Sequence, residues 1–208
     1  VALLPHGFAV LIVAAMMAPD GRCKTLDATG DGYVRAEACG VVEMDSVFND
    51  EHEALVTVCG SAVNQDGRSS SLTAPNGPSQ QAVIRNALDS TEVEVVDLEQ
   101  LEMHGTGTSL GDPIEVGAIC AVLLNRRIQR TPITLWAAKS AHGHAEAGAG
   151  MVNVVHVLTN LTHVRTCYVT NLRIVNPYVG ETVAIAKQTS APREDVAITT
   201  TKTRSMCA

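Results

Sequence analysis

His104 and His144 stand in the settings best suited to chemistry. The first lies in Glu102-Met103-His104-Gly105-Thr106-Gly107-Thr108, the second in Lys139-Ser140-Ala141-His142-Gly143-His144-Ala145-Glu146. Each follows an apolar run of strand character and has glycine beside it. Such a loop brings backbone close to a ligand and leaves one side chain at the rim of a sheet. Two neutral imidazoles aimed at one carbonyl oxygen would donate two hydrogen bonds to a developing enolate, as an oxyanion hole does. Taken singly, a histidine in such a loop is more often a hydrogen-bonded structural residue, so the pair carries the argument. Lys139 and Glu146, singly, are ordinary solvated charges.

Two other chemistries fit less well. His142, His144 and Glu146 alternate as three metal ligands on a strand would, yet Ala145 to Gly150 has helical character, and helix positions two apart face different ways. Gly105 to Gly111 spells G-x-G-x-x-x-G, one residue off the dinucleotide fingerprint, and lacks the Gly-Lys-Ser/Thr of a phosphate loop.

The elements around these loops follow from periodicity. Leu98 to Met103 predicts a strand, and Pro132 to Ala138 another with Ile133, Leu135 and Ala137 on one face. Asp112-Pro113-Ile114-Glu115 has the order of a helix start, with Asp112 as N-cap, and the helix should run to about Leu124. Ala145 to Leu161 predicts a further helix, with Lys139 to His144 as the loop before it. Ser79 to Leu88 is helical in its spacing, Pro78 falling in the first turn. Val41-Val42 and Leu55 to Val63 have strand composition, whereas the stretch from Lys187 predicts no element. The alternation of strand, loop and helix implies α/β layers.

Composition narrows the class. Of 208 residues, 46% are hydrophobic and only 3% aromatic, so the core must be aliphatic. A net charge of −7 with no Lys/Arg cluster argues against nucleic acid. Six cysteines without a C-x-x-C pair predict reduced, mostly buried thiols in a cytosolic setting. The apolar run Phe8 to Ala18 is short of the ~20 residues that span a bilayer and predicts a buried helix. The first residue is Val, as expected of a fragment.

Several segments together resemble the β-ketoacyl synthase family, most closely the ketosynthase domains of polyketide synthases. They are Val63 to Arg68, Leu72 to Gln81, His104 to Gly111 with Asp112-Pro113-Ile114-Glu115, and Lys139-Ser140 with Gly143-His144. Asp20 to Lys24 with Asp27, Asp31 to Arg35, and Asn176-Pro177 fit the same family in the same order. The resemblance implies a thiolase-like, layered αβαβα fold, here incomplete: the second half and a tail of the first. Residues 1–186 would be a partial ketosynthase domain and 187–208 a divergent polar tail. It further implies that His104 and His144 are the two active-site histidines and Lys139 the active-site lysine, with Glu146 as its acidic partner. Thr106 and Thr108 would contact the phosphopantetheine arm of an acyl carrier protein, with no cofactor bound directly. The reaction implied is decarboxylative condensation of a malonyl-type thioester with a cysteine-bound acyl chain, in a homodimer.

The match has gaps. The family's nucleophile is a cysteine followed by small residues, and none of the six cysteines has that context. Ala141 and His142 stand where Asn and an apolar residue are usual. A glycine-rich closing loop is replaced by the Thr-rich tail. A half-domain is also expected to expose apolar surface that its other half would cover. The resemblance therefore predicts no turnover by this chain alone. The alternatives are a remnant that binds carrier protein or dimerises, and a metal-dependent hydrolase using His142, His144 and Glu146.

Overall fold

The computed structural model describes residues 4–45, 55–69, 74–126, 133–162, 169–186, 189–190 and 204–207. At its centre lie strands β1 (Leu98–Glu102) and β2 (Ile133–Trp136), paired in parallel with Leu101 opposite Leu135 and Glu102 opposite Trp136. Parallel neighbours need a crossover, and helix α3 (Gly111–Arg126) lies between them in the chain. Helix α2 (Gly77–Asp89) packs on one part of α3 and helix α6 (Pro177–Ala186) on another. Leu101, Met103, Val116, Ile119, Leu123, Ile133, Leu135 and Val179 are all fully buried between sheet and helices. Each such side chain contributes about 1.5–3 kcal/mol.

Local chemistry explains where the helices begin. The Asn76 side chain accepts from Ser79 N–H at 3.2 Å, Pro78 sits in the first turn, and Ile84 and Leu88 face inward four residues apart. α6 has no counterpart in the periodicity. It is set by Asn176, whose Oδ1 accepts from Tyr178 N–H at 3.0 Å just ahead of Pro177.

Asp27 ties the N-terminal part of the chain to the segment before α6. Its Oδ1 accepts from Thr29 N–H and Oγ–H, and its Oδ2 from Arg173 N–H at 2.7 Å and Ile174 N–H at 2.9 Å. Burial alone would raise this carboxyl, but the Thr29 hydroxyl and the three backbone donors outweigh it and hold it at about 2. A depressed carboxyl stabilises the fold above its unfolded value, and that stability is lost as pH falls through the folded value. Asp27→Asn is therefore expected to cost about 2 kcal/mol at pH 7 and progressively less towards pH 2. Urea midpoints of the two proteins at both pH values check this; a constant difference would contradict it.

Four expectations change. The apolar N-terminal run forms helix α1 at Pro5–Val13, but it is not buried: Val10, Ile12 and Val13 are 57%, 62% and 88% exposed. Its apolar residues surround the axis, and the described residues cover only part of it, with the Arg35 guanidinium 5.1 Å from the Phe8 ring centre. The segments at Val41-Val42 and Leu55 to Val63 form no strand, because no neighbouring chain among the described residues completes a ladder. Val41 and Val63 are 89% and 95% exposed. Cys39 and Cys59 lie on these uncovered segments and are exposed, whereas Cys23 and Cys120 are buried. The polar tail supplies strands β3 (Thr189–Ser190) and β4 (Arg204–Cys207), which pair in parallel with β2 and β1 and give the sheet order β3-β2-β1-β4. Among the described residues no helix is long and apolar enough to cross a membrane.

Candidate active site

The chain leaves β1 at Glu102 and turns through Met103 to Thr108 before α3. Two carboxylates at the start of α3 reach back and hold this turn. Glu115 accepts from His104 N–H at 2.6 Å and Gly105 N–H at 2.9 Å; Asp112 accepts from Gly107 N–H at 3.1 Å and Leu26 N–H at 2.7 Å. Burial pushes both carboxyls up, Asp112 to about 6 and Glu115 to about 7, against the pull of those N–H groups. Asp112 is thus not the helix N-cap: α3 begins at Gly111, two positions before the expected first residue Pro113, and the Thr108 hydroxyl accepts from Gly111 N–H at 3.1 Å. Two carbonyls of the loop are used as well, Gly105 C=O by the Thr25 hydroxyl at 2.7 Å and Gly107 C=O by Gly32 N–H at 3.2 Å. Gly107 has φ +79°, and a Cβ there would stand 2.6 Å from the Lys24 backbone nitrogen.

The second loop follows β2. Lys139–His142 forms one helical turn, α4, where a loop is expected, and Gly143 at φ +79° reverses the chain into His144. His144 pairs by its backbone with the segment around Arg35: its N–H donates to Val34 C=O at 2.7 Å and its C=O accepts from Ala36 N–H at 2.9 Å. Helix α5 (Ala149–Thr162) starts four residues later than the spacing predicts, because 146–148 form a tighter turn with Glu146 at φ +48°.

These two loops bring His104 and His144 edge to face, ring centres 5.3 Å apart. Glu146 N–H donates to His144 Nδ1 at 3.0 Å, so the neutral ring carries its proton on Nε2. Burial by the surrounding protein, then the Lys139 and His144 charges, lowers His104 to about 4, although the residue as a whole is exposed. Burial and then Lys139 lower His144 against the opposing effect of Glu146. Both imidazoles are neutral at pH 7 and can act as donors. Thr106 and Thr108 are half-buried on the same loop, their hydroxyls 3.3 Å apart.

Lys139 is 1% exposed, with its ammonium 3.5 Å from Asn153 Oδ1; Asn153 in turn donates to Met103 C=O at 3.0 Å. Its expected pairing with Glu146 is replaced. Arg35 takes that carboxylate, donating to Oε2 at 2.9 Å with Nε 2.8 Å from Oε1. The partner lies 111 positions away, beyond anything local spacing can reveal. Glu102 and His156 carry no local signal either, yet both support the site. Glu102 accepts from Ala138 N–H at 2.6 Å and meets His156 Nδ1 at 2.7 Å, so α5 braces both loops. The proposed metal trio is not assembled. His142 is exposed at the end of α4, and among the described residues no three such side chains are placed to hold an ion. Two cavities of about 430 and 650 Å³ flank segment 36–40, but neither has His104 or His144 in its walls. Donors and charge converge at the imidazoles, which makes them the better site.

The chain belongs to the β-ketoacyl synthase family. The model of the family's C-terminal domain matches residues 55–172, and that of its N-terminal domain residues 1–46. The chain is 45% identical over 143 residues to a phenolphthiocerol/phthiocerol polyketide synthase of Mycobacterium tuberculosis, covering 67% of this chain and 6% of that protein. It is 44% identical over 150 residues to a pikromycin polyketide synthase component of Streptomyces venezuelae, covering 71% and 4%. An oxazolomycin ketosynthase domain from Streptomyces albus superposes with a TM-score of 0.81 at 29% identity, covering 93% of this chain and 33% of that one. A bacillaene synthase ketosynthase from Bacillus subtilis gives 0.76 at 28%, covering 86% and 32%. The fold is therefore thiolase-like, and the chain spans about a third of these solved ketosynthases.

Proposed function

We propose that this chain supplies the histidine half of a polyketide-type ketosynthase site. The observation that carries the reading is the pair of neutral imidazoles 5.3 Å apart, one with its Nε2–H fixed by the Glu146 N–H. A malonyl-type thioester on acyl carrier protein would place its carbonyl oxygen between them. Its C–C bond to carboxylate breaks, CO₂ leaves, and the electron pair passes to an enolate that both donors stabilise. The enolate carbon then attacks an acyl–cysteine thioester, forming a C–C bond and releasing thiolate. Thr106 and Thr108 are the proposed contacts for the phosphopantetheine arm, and burial, helped by the Lys139 charge, keeps the imidazoles neutral. The domain containing these residues acts as a homodimer in this reading. Residues 1–186 are its partial ketosynthase domain and 187–208 a divergent tail.

In this reading none of Cys23, Cys39, Cys59 and Cys120 is the acyl-accepting cysteine. Burial pushes the Cys23 thiol up, and its Sγ is held by Val34 N–H at 3.3 Å; Cys120 lies in the apolar core; Cys39 and Cys59 lie on exposed segments. A reactive thiol needs its pKa lowered. Radiolabelled acyl thioester is expected to leave no stoichiometric adduct on the chain. Full labelling of one cysteine would contradict this.

A further inference from the structure

His144 works as a donor only if its ring proton stays on Nε2, and the structure shows what keeps it there. Nδ1 accepts from Glu146 N–H at 3.0 Å. That N–H belongs to a turn entered through Ala145 at φ −81°, ψ 17° and continued by Glu146 at φ +48°, a left-handed conformation unfavourable for a residue with a Cβ. Something must hold Glu146 there. Arg35 is the group in place to do so: its side chain is 7% exposed, and its guanidinium contacts both carboxylate oxygens of Glu146 and lies over the Phe8 ring. The backbone of the same segment pins His144 from the other side, through Val34 C=O and Ala36 N–H. One short extended stretch thus fixes both the main chain that carries the imidazole and the turn that sets its tautomer.

We infer that Arg35 is a positioning residue for His144. By clamping the Glu146 carboxylate it holds the left-handed turn whose N–H occupies Nδ1, and so keeps the imidazole proton on Nε2. This rests on the reading of His144 as an enolate donor, but it is tested without turnover.

The test is the nitrogen NMR spectrum of the histidine side chains in the full chain at neutral pH, where the two ring nitrogens report which one is protonated. The native chain is expected to show His144 in the Nε2–H form alone. Arg35→Gln should give a mixture of the two neutral tautomers at His144, with His104 unchanged. Glu146→Ala, which leaves Arg35 in place, should give the same mixture and serves if Arg35→Gln fails to fold. The double variant should be no worse than either single one, and Arg35→Lys should restore part of the native signal. A native His144 protonated on Nδ1 would overturn the assignment, as would an unchanged tautomer in Arg35→Gln with a native circular dichroism spectrum. Equal disturbance of His104 and His144 would make Arg35 a general structural residue and overturn it too. If the tautomer responds as described while His144→Ala leaves decarboxylation intact, the clamp stands and the enolate-donor reading fails.

Discussion

Alanine at His104 or at His144 is expected to slow decarboxylation of a malonyl thioester by roughly 10²–10³, the cost of removing one oxyanion donor. The effect is to be measured in a domain that joins these residues to an acyl-accepting cysteine, as CO₂ release from malonyl carrier protein. The two rings meet edge to face 5.3 Å apart and in the proposed reaction serve one oxygen, so the double variant should fall well short of the product of the single effects. Acylation of the cysteine should persist in all three, because neither ring is needed to accept the acyl chain. Normal decarboxylation by either variant would make that histidine a structural residue.

Gly107→Ala is expected to be the most damaging single methyl in the site. The position combines φ +79° with a Cβ that would stand 2.6 Å from the Lys24 backbone nitrogen and 3.0 Å from its carbonyl carbon. The left-handed backbone costs about 1–2 kcal/mol for a residue with a Cβ, and a backbone clash that cannot be relieved by a side-chain rotation adds about 1–3 kcal/mol. A loss of about 3 kcal/mol or more follows, together with displacement of the His104 loop. Gly67 provides the control, since its φ is +60° but nothing lies within 4 Å of an added Cβ. Gly67→Ala should therefore lose only the backbone part, about 1 kcal/mol. Urea unfolding of both variants decides the matter, and equal losses would show that the close approach of Gly107 to Lys24 carries no weight.

How far sequence reaches into this structure follows the range of the interactions. β1, β2 and α2 are legible because their apolar spacing is a property of neighbouring residues, and the two histidine loops because glycine and strand ends are local too. The same local reasoning puts Asp112 at a helix N-cap, with Glu115 in the first turn. In the structure both carboxylates serve the preceding loop, and Asp112 also accepts from Leu26 N–H, 86 positions away. Lys139 and Glu146 look like partners by proximity in the chain, yet the buried ammonium turns to Asn153 and the carboxylate to Arg35. Leu55 to Val63 is apolar and β-rich, but a strand also needs a neighbour, which composition cannot supply. α6 escapes because its start rests on one Asn–Pro step rather than on periodicity. The family resemblance reaches past these limits, since it compares whole motifs in order.

Whether His104 and His144 are a pair of neutral donors is read by a proton NMR titration of the two imidazoles in the full chain. Their ordinary value is 6.5. Burial first, then the Lys139 ammonium, should hold His104 neutral until the pH falls to about 4, and His144 should also titrate below the ordinary value. Lys139→Met should raise both rings, because it removes the buried positive charge that opposes their protonation. A His104 or His144 that takes up its proton at or above 6.5 would instead be partly cationic at neutral pH and paired as a structural charge, and the two-donor account would be wrong.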